Sequence, residues 1–210
     1  MSILVLTSDT LSSPAAAGQI EYTSPIFAAT PIGTQRGIVP TQQYYRLDSG
    51  RLVASTASAV SMFGVGATLS ASTVYEFELN FTLAKTDGTT SHTLGIGFGG
   101  TATLNNIEWQ IINKFDTVAM SIANGAAYSI GYATSASNTT VTGATGVNTT
   151  LYFVAQIKGT ISINAGGTFI PQYTCSAAPA GSGYTTVAGS YIRINPLSAS
   201  GAATNVGTWA

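Results

Sequence analysis

Charge is what this sequence has least of. Asp, Glu, Lys and Arg make up 7% of its 210 residues, where an ordinary globular domain carries about 25%. The net charge is -1 and the seven basic residues form no cluster, so the chain has no footprint for a phosphate backbone, and nucleic-acid binding is not expected. A single cysteine, Cys175, excludes an internal disulfide framework and a Cys-rich metal site, and reads as a small apolar filler. With one histidine and acids scattered singly, neither a metal nor a cofactor is expected. Long apolar runs are missing too. Leu151-Tyr152-Phe153-Val154-Ala155 stops far short of the 18 or so residues of a membrane-spanning helix, so no membrane insertion is expected. The start, Met1-Ser2-Ile3-Leu4-Val5-Leu6-Thr7, lacks a basic leader, which implies synthesis in a cytoplasm.

What takes the place of charge is Ser, Thr, Asn, Gln and Gly, in runs such as Ser135-Ala136-Ser137-Asn138-Thr139-Thr140. Such a surface suits lasting contact with copies of itself or with a larger assembly better than a monomer that must repel its neighbours. The hydrophobic fraction of 45% is ordinary, and a chain of this length can bury roughly 70% of its unfolded surface in one core.

Pro14, Pro25, Pro31 and Pro40 crowd the first 40 residues, and each disfavours helix at the residue before it. Residues 1–50 therefore read as an extended N-terminal arm or stem with short hairpin strands, Gln19-Ile20-Glu21-Tyr22 and Pro25-Ile26-Phe27-Ala28, around a turn at Thr23-Ser24. Ile20, Tyr22, Ile26 and Phe27 are its apolar anchors. Residues 51–210 read as an all-β, antiparallel, jelly-roll-like β-sandwich. Its clearest strand is Val74 to Leu83, where Tyr75, Phe77, Leu79, Phe81 and Leu83 alternate with Glu76, Glu78, Asn80 and Thr82. Leu94-Gly95-Ile96-Gly97-Phe98-Gly99 sets apolar residues against glycine, leaving one face bare enough for another segment to approach closely. Further strands are expected at Ile107 to Phe115, Thr117 to Ile122, Tyr128 to Ala133, Leu151 to Ile163 and Ser190 to Ile194, with a hairpin turn at Asn124-Gly125. Arg51 to Met62 reads as strand or loop, since Ser, Thr and Val are poor helix formers.

Few residues carry chemistry. His92 follows Asp87 and Ser91 closely in sequence, but neighbours on a strand point to opposite faces, so Ser91 and His92 do not meet as nucleophile and base. Glu76 and Glu78 share a face about 7 Å apart, near glycosidase spacing. The aromatic residues of that strand lie on the other face, and a solvated strand commonly carries two acids, so no catalytic residue is assigned. Among aromatic side chains that could stack on sugar rings, Trp109, Tyr128, Tyr132 and Tyr184 stand out, with Tyr44 and Tyr45 beside them. With only Lys85, Lys114 and Lys158 for lysines, the sheet edges lack their usual charge protection, so symmetric partners are expected to cover them, with a trimer the preferred closure and a dimer or larger ring also allowed by the physics.

Ala17-Gly18-Gln19-Ile20-Glu21-Tyr22, then Phe27-Ala28-Ala29-Thr30-Pro31 and Arg36-Gly37, is similar to a segment of tailed-bacteriophage virion proteins that joins a collar or shaft to a distal domain. Ser61-Met62-Phe63-Gly64-Val65, Thr73-Val74-Tyr75-Glu76-Phe77-Glu78, Gly97-Phe98-Gly99-Gly100-Thr101-Ala102-Thr103, Asn164 to Gln172 and Gly207-Thr208-Trp209-Ala210 resemble the distal β-domain of the same proteins. The resemblance implies a trimeric virion surface protein. The short chain, without a repetitive shaft, favours a capsid decoration (cement) protein on the head exterior, with the major capsid protein as partner. The alternative it implies is the receptor-binding module of a tail fibre or tailspike, recognising host surface glycans.

Overall fold

The computed structural model describes residues 6–12, 14–24, 26–117, 128–201 and 206–207. Its strands in chain order are β1 (Gln19–Thr23), β2 (Ile26–Ile32), β3 (Gln35–Val39), β4 (Gln43–Arg46), β5 (Arg51–Leu52), β6 (Val60–Ser61), β7 (Ala67–Leu69) and β8 (Thr73–Lys85), then β9 (Leu94–Gly99), β10 (Thr103–Asp116), β11 (Ser129–Ala133), β12 (Thr139–Thr140), β13 (Leu151–Ala165), β14 (Gly167–Cys175), β15 (Thr185–Thr186) and β16 (Tyr191–Ala199). Every pairing is antiparallel, and the fold is an all-β antiparallel sandwich, as the alternation predicts.

The larger sheet runs β11-β10-β13-β8, and beyond β8 it continues through β16 to β4 and through β15 to β5. The smaller sheet runs β12-β9-β14-β6, with β7 also on β14. Strict alternation on β8 turns Tyr75, Phe77, Leu79, Phe81 and Leu83 into the core, all buried. The centre of that core is aromatic. Phe98 stacks on Phe169 at 4.9 Å and meets Phe77 and Trp109 edge-on at 5.2 and 5.6 Å, arrangements that add to the burial energy of the rings. Gly159 of β13 lies beneath them. A Cβ there would stand 2.4 Å from the Glu108 carbonyl oxygen and 2.6 Å from the Phe77 ring, so only glycine lets the two aromatic strands close.

The bare face of β9 is used as expected. Segment 134–140 runs beside it, with Phe98 donating its N–H to the Ala136 carbonyl, and a side chain on Gly95 would collide with Asn138. Strand β11 pairs with residues 109–113 of β10; the expected turn at Asn124-Gly125 and most of the expected strand Thr117 to Ile122 lie outside the described residues.

The N-terminal stretch forms a separate three-stranded meander, β1-β2-β3, with β2 against β16. Arg36 bridges Glu21 at 2.9 Å, and the same carboxylate accepts hydrogen bonds from the Ser12 N–H and hydroxyl at 2.7 Å. Those bonds from Ser12, with the charge of Arg36, hold the Glu21 carboxyl below its ordinary pKa and tie Ser12 to the meander. The arm ends earlier than residue 50: β4 pairs with β16, and Leu47 sits in the sandwich core. Pairing with β16, some 150 positions away, recruits this stretch into the domain.

Candidate functional site

Parity along the long strands decides what the larger sheet shows to solvent. The outer face follows the cross-strand register. Gln110, Lys158, Glu78 and Arg193 stand side by side on β10, β13, β8 and β16, with Tyr132 of β11 before them and Tyr44 of β4 after them. The next row is Glu108, Thr160, Glu76 and Asn195. Five members of a set of only seven basic and eight acidic residues are thus gathered here. Between the rows lies an open cleft of about 540 Å³, floored by the backbones of Phe77, Trp109 and Gly159.

Glu76 and Glu78 share this face, as their spacing predicts, but their surroundings differ. Glu76 is exposed and accepts a hydrogen bond from the Asn195 amide. Glu78 is buried. Burial pushes its pKa up, yet hydrogen bonds from Arg193 (2.7 Å) and Tyr191 (2.8 Å) and the charges of Arg193 and Lys158 outweigh this and hold it below the ordinary carboxylate value. Glu78 is a fixed anion that orients Arg193, not a proton donor poised near neutrality.

The edge strand β11 carries a different surface. Tyr128, Ile130 and Tyr132 are 67%, 78% and 75% exposed, Ile130 faces the exposed Ile112 across the ladder, and Ser129–Ala133 contains no charge. Among the described residues β11 pairs only with β10. It is an apolar, uncharged sheet edge of the kind that natural proteins protect or use.

Two expected sugar contacts are not at the surface. Trp109 is 1% exposed because it shares inward parity with Ile107 and Ile111, and its indole N–H donates to the Ser135 carbonyl at 3.0 Å. Tyr184 is also 1% exposed; it enters the core after Gly183, whose positive φ turns the chain inward, and packs against Tyr173. Neither can stack on a ligand. In the arm, Tyr22 stacks on Phe27 at 4.6 Å, Ile26 is buried and Ile20 is 67% exposed, so of the four expected anchors only Ile20 is fully free for a partner.

His92 is a core residue. Its Nδ1 lies 2.7 Å from the Thr90 carbonyl oxygen, which can only accept, so Nδ1 carries the proton and Nε2 accepts from the Tyr184 hydroxyl at 2.9 Å. Burial chiefly, with the charge of Lys85, keeps its pKa below the ordinary value against the pull of the Thr90 carbonyl. Beside it Lys85, also buried, points its ammonium at the carbonyls of Gly88 (2.7 Å), Asn148 (2.8 Å), Asp87 (3.0 Å) and Thr149 (3.2 Å). Cys175 is buried, its thiol pushed up to about 11 by burial, and is inert at neutral pH. Among the described residues no group of three metal-ligating side chains occurs.

Sequence reasoning paired Glu76 with Glu78 but missed their partners. Arg193 and Asn195 lie more than a hundred residues away, and only the β8–β16 register brings them together. The signal available was the outward parity of Glu108 and Gln110 on one strand and of Lys158 and Thr160 on another. No family model, curated protein or solved structure matches the chain.

Proposed function

We propose that this protein is a structural component of a bacteriophage virion, a homotrimeric decoration (cement) protein that binds the major capsid protein on the head exterior. The observation that carries this reading is the β11 edge. Ile130 and Tyr132 stand out on an uncharged strand, with Tyr128 just before it, in a chain whose charge is too sparse to keep such an edge apart from its copies. Burial of that strand and of exposed arm residues such as Ile20, Ile32 and Val39 would supply binding that owes little to ion pairs, so attachment should depend weakly on salt. Sedimentation of the chain and of Ile130→Lys tests this. Ile130 is 78% exposed and outside the core cluster, so the variant should keep its fold; the wild-type chain should run as a trimer and the variant as a monomer. A monomeric wild-type chain, or a trimer unaffected by the lysine, would remove the support of this edge.

A second reading, the receptor-binding tip of a fibre or spike, is favoured by the polar cleft on the outer face.

A further inference from the structure

We propose that the cleft between the two polar rows of the larger sheet is a binding site for a neutral oligosaccharide, held by Glu108, Gln110, Thr160, Glu76 and Asn195. The proposal rests on the second reading above and gives it a location, a ligand class and residues different from the aromatic set expected from sequence.

The volume, about 540 Å³, is that of small-molecule sites generally, about 300–1,000 Å³. The site is built on rigid material, since β8 is paired on both sides by β13 and β16, and β13 by β10 and β8. The backbone groups there are already used, so an extended peptide cannot add itself as a strand, and recognition must be by side chains. Those side chains divide into two groups. Glu78 pairs with both Arg193 and Lys158, which fixes the wall of the cleft and leaves the trio one positive charge. Glu108, Gln110 and Thr160 are exposed, and among the described residues their side chains make no hydrogen bond within the protein. A carboxylate, an amide and a hydroxyl are left facing solvent beside the Glu76–Asn195 pair.

The chemistry selects the ligand. Glu76, Glu78 and Glu108 outnumber Lys158 and Arg193 in the cleft by one charge, which disfavours a phosphate or an acidic sugar, and polar walls disfavour an apolar ligand. A sugar hydroxyl both donates and accepts, so it can donate to Glu108 or Glu76 while accepting from Gln110 or Asn195. One strand beyond Arg193 stands Tyr44, half-exposed, with its ring 5.6 Å from that of Tyr191, a platform for the apolar face of a further sugar unit.

The test is binding of the full chain to an immobilised array of neutral hexose and N-acetylhexosamine oligosaccharides, with sialylated and phosphorylated oligosaccharides alongside. Glu108→Ala, Gln110→Ala, Thr160→Val and, as a control at the edge, Tyr132→Ala are compared with the wild type, and unchanged melting checks each fold. Binding to neutral oligosaccharides that falls at least tenfold in Glu108→Ala and Gln110→Ala and survives Tyr132→Ala is the expected result. Binding that survives the cleft variants and is lost in Tyr132→Ala overturns this site but leaves the receptor-binding reading. Preference for the acidic oligosaccharides overturns the ligand class. No binding by the wild-type chain overturns both the site and the reading it rests on.

Discussion

Replacing Phe98 by alanine should lower stability by about 3–5 kcal/mol, a fall of roughly 6–20 °C in melting temperature for a domain of this size. Phe98 is the ring on which both sheets meet. It comes from the smaller sheet, stacks on Phe169 of the same sheet and reaches across to Phe77 and Trp109 of the larger one. Its truncation leaves a void that neighbours cannot fill, because Phe77 is pinned against Gly159 and the indole of Trp109 is tied to the Ser135 carbonyl. Thermal melts of the two proteins decide it. A shift of 2 °C or less would mean that the core repacks freely and that the aromatic cluster does not hold the sheets together.

Lys85→Met should cost about 3 kcal/mol or more, and the loss should be centred on one end of the sandwich. The methionine keeps the apolar stem but removes the ammonium to which four backbone carbonyls point. Burial lowers the Lys85 pKa while the charge of Asp87 opposes the shift. Gly88 allows the loop to close over the ammonium, since any side chain there would strike the Pro179 and Ala180 carbonyl oxygens at about 2.5 Å. Without the lysine, the loops at 86–93 and 143–150 should become cleavable by protease before the rest of the sandwich. Cleavage spread evenly over the chain would contradict that placement.

The same cluster sets a pH dependence. The folded pKa of His92 lies below its ordinary value of about 6.5, so the unfolded chain binds a proton first as pH falls. The stability that neutral His92 contributes is complete above about pH 6.5 and is lost as pH drops below it. Melting temperature should therefore fall between pH 7 and 5 in the wild type and much less in His92→Gln. Only below that range do Glu21, Glu78 and Asp87, whose pKa values are lowered, lose their contributions.

What the sequence made legible, and what it hid, follows from the range of the interactions. The alternation from Val74 to Leu83 produced β8 and its core face, and the glycines of β9 announced a close neighbour that is Asn138 and its segment. Strand β14 escaped notice because Pro171 interrupts it, yet Phe169, Pro171, Tyr173 and Cys175 all turn inward there, and proline is tolerated where the N–H has no ladder duty. Ring chemistry alone suggests Trp109 and Tyr184 as surface rings, but parity overrides it at Trp109, where Ile107 and Ile111 on either side mark its side as inward. The cleft lay beyond reach, since no local pattern gives the register of strands whose paired residues lie about 50 to 120 positions apart.

The most direct test of the proposal that this is a head decoration protein is its copy number in purified virions, measured by quantitative mass spectrometry against the major capsid protein. Hundreds of copies per particle, in a fixed ratio to the capsid lattice, are expected. A few copies, or a few tens, would put the chain on the tail, and its absence from the particle would contradict the virion assignment altogether.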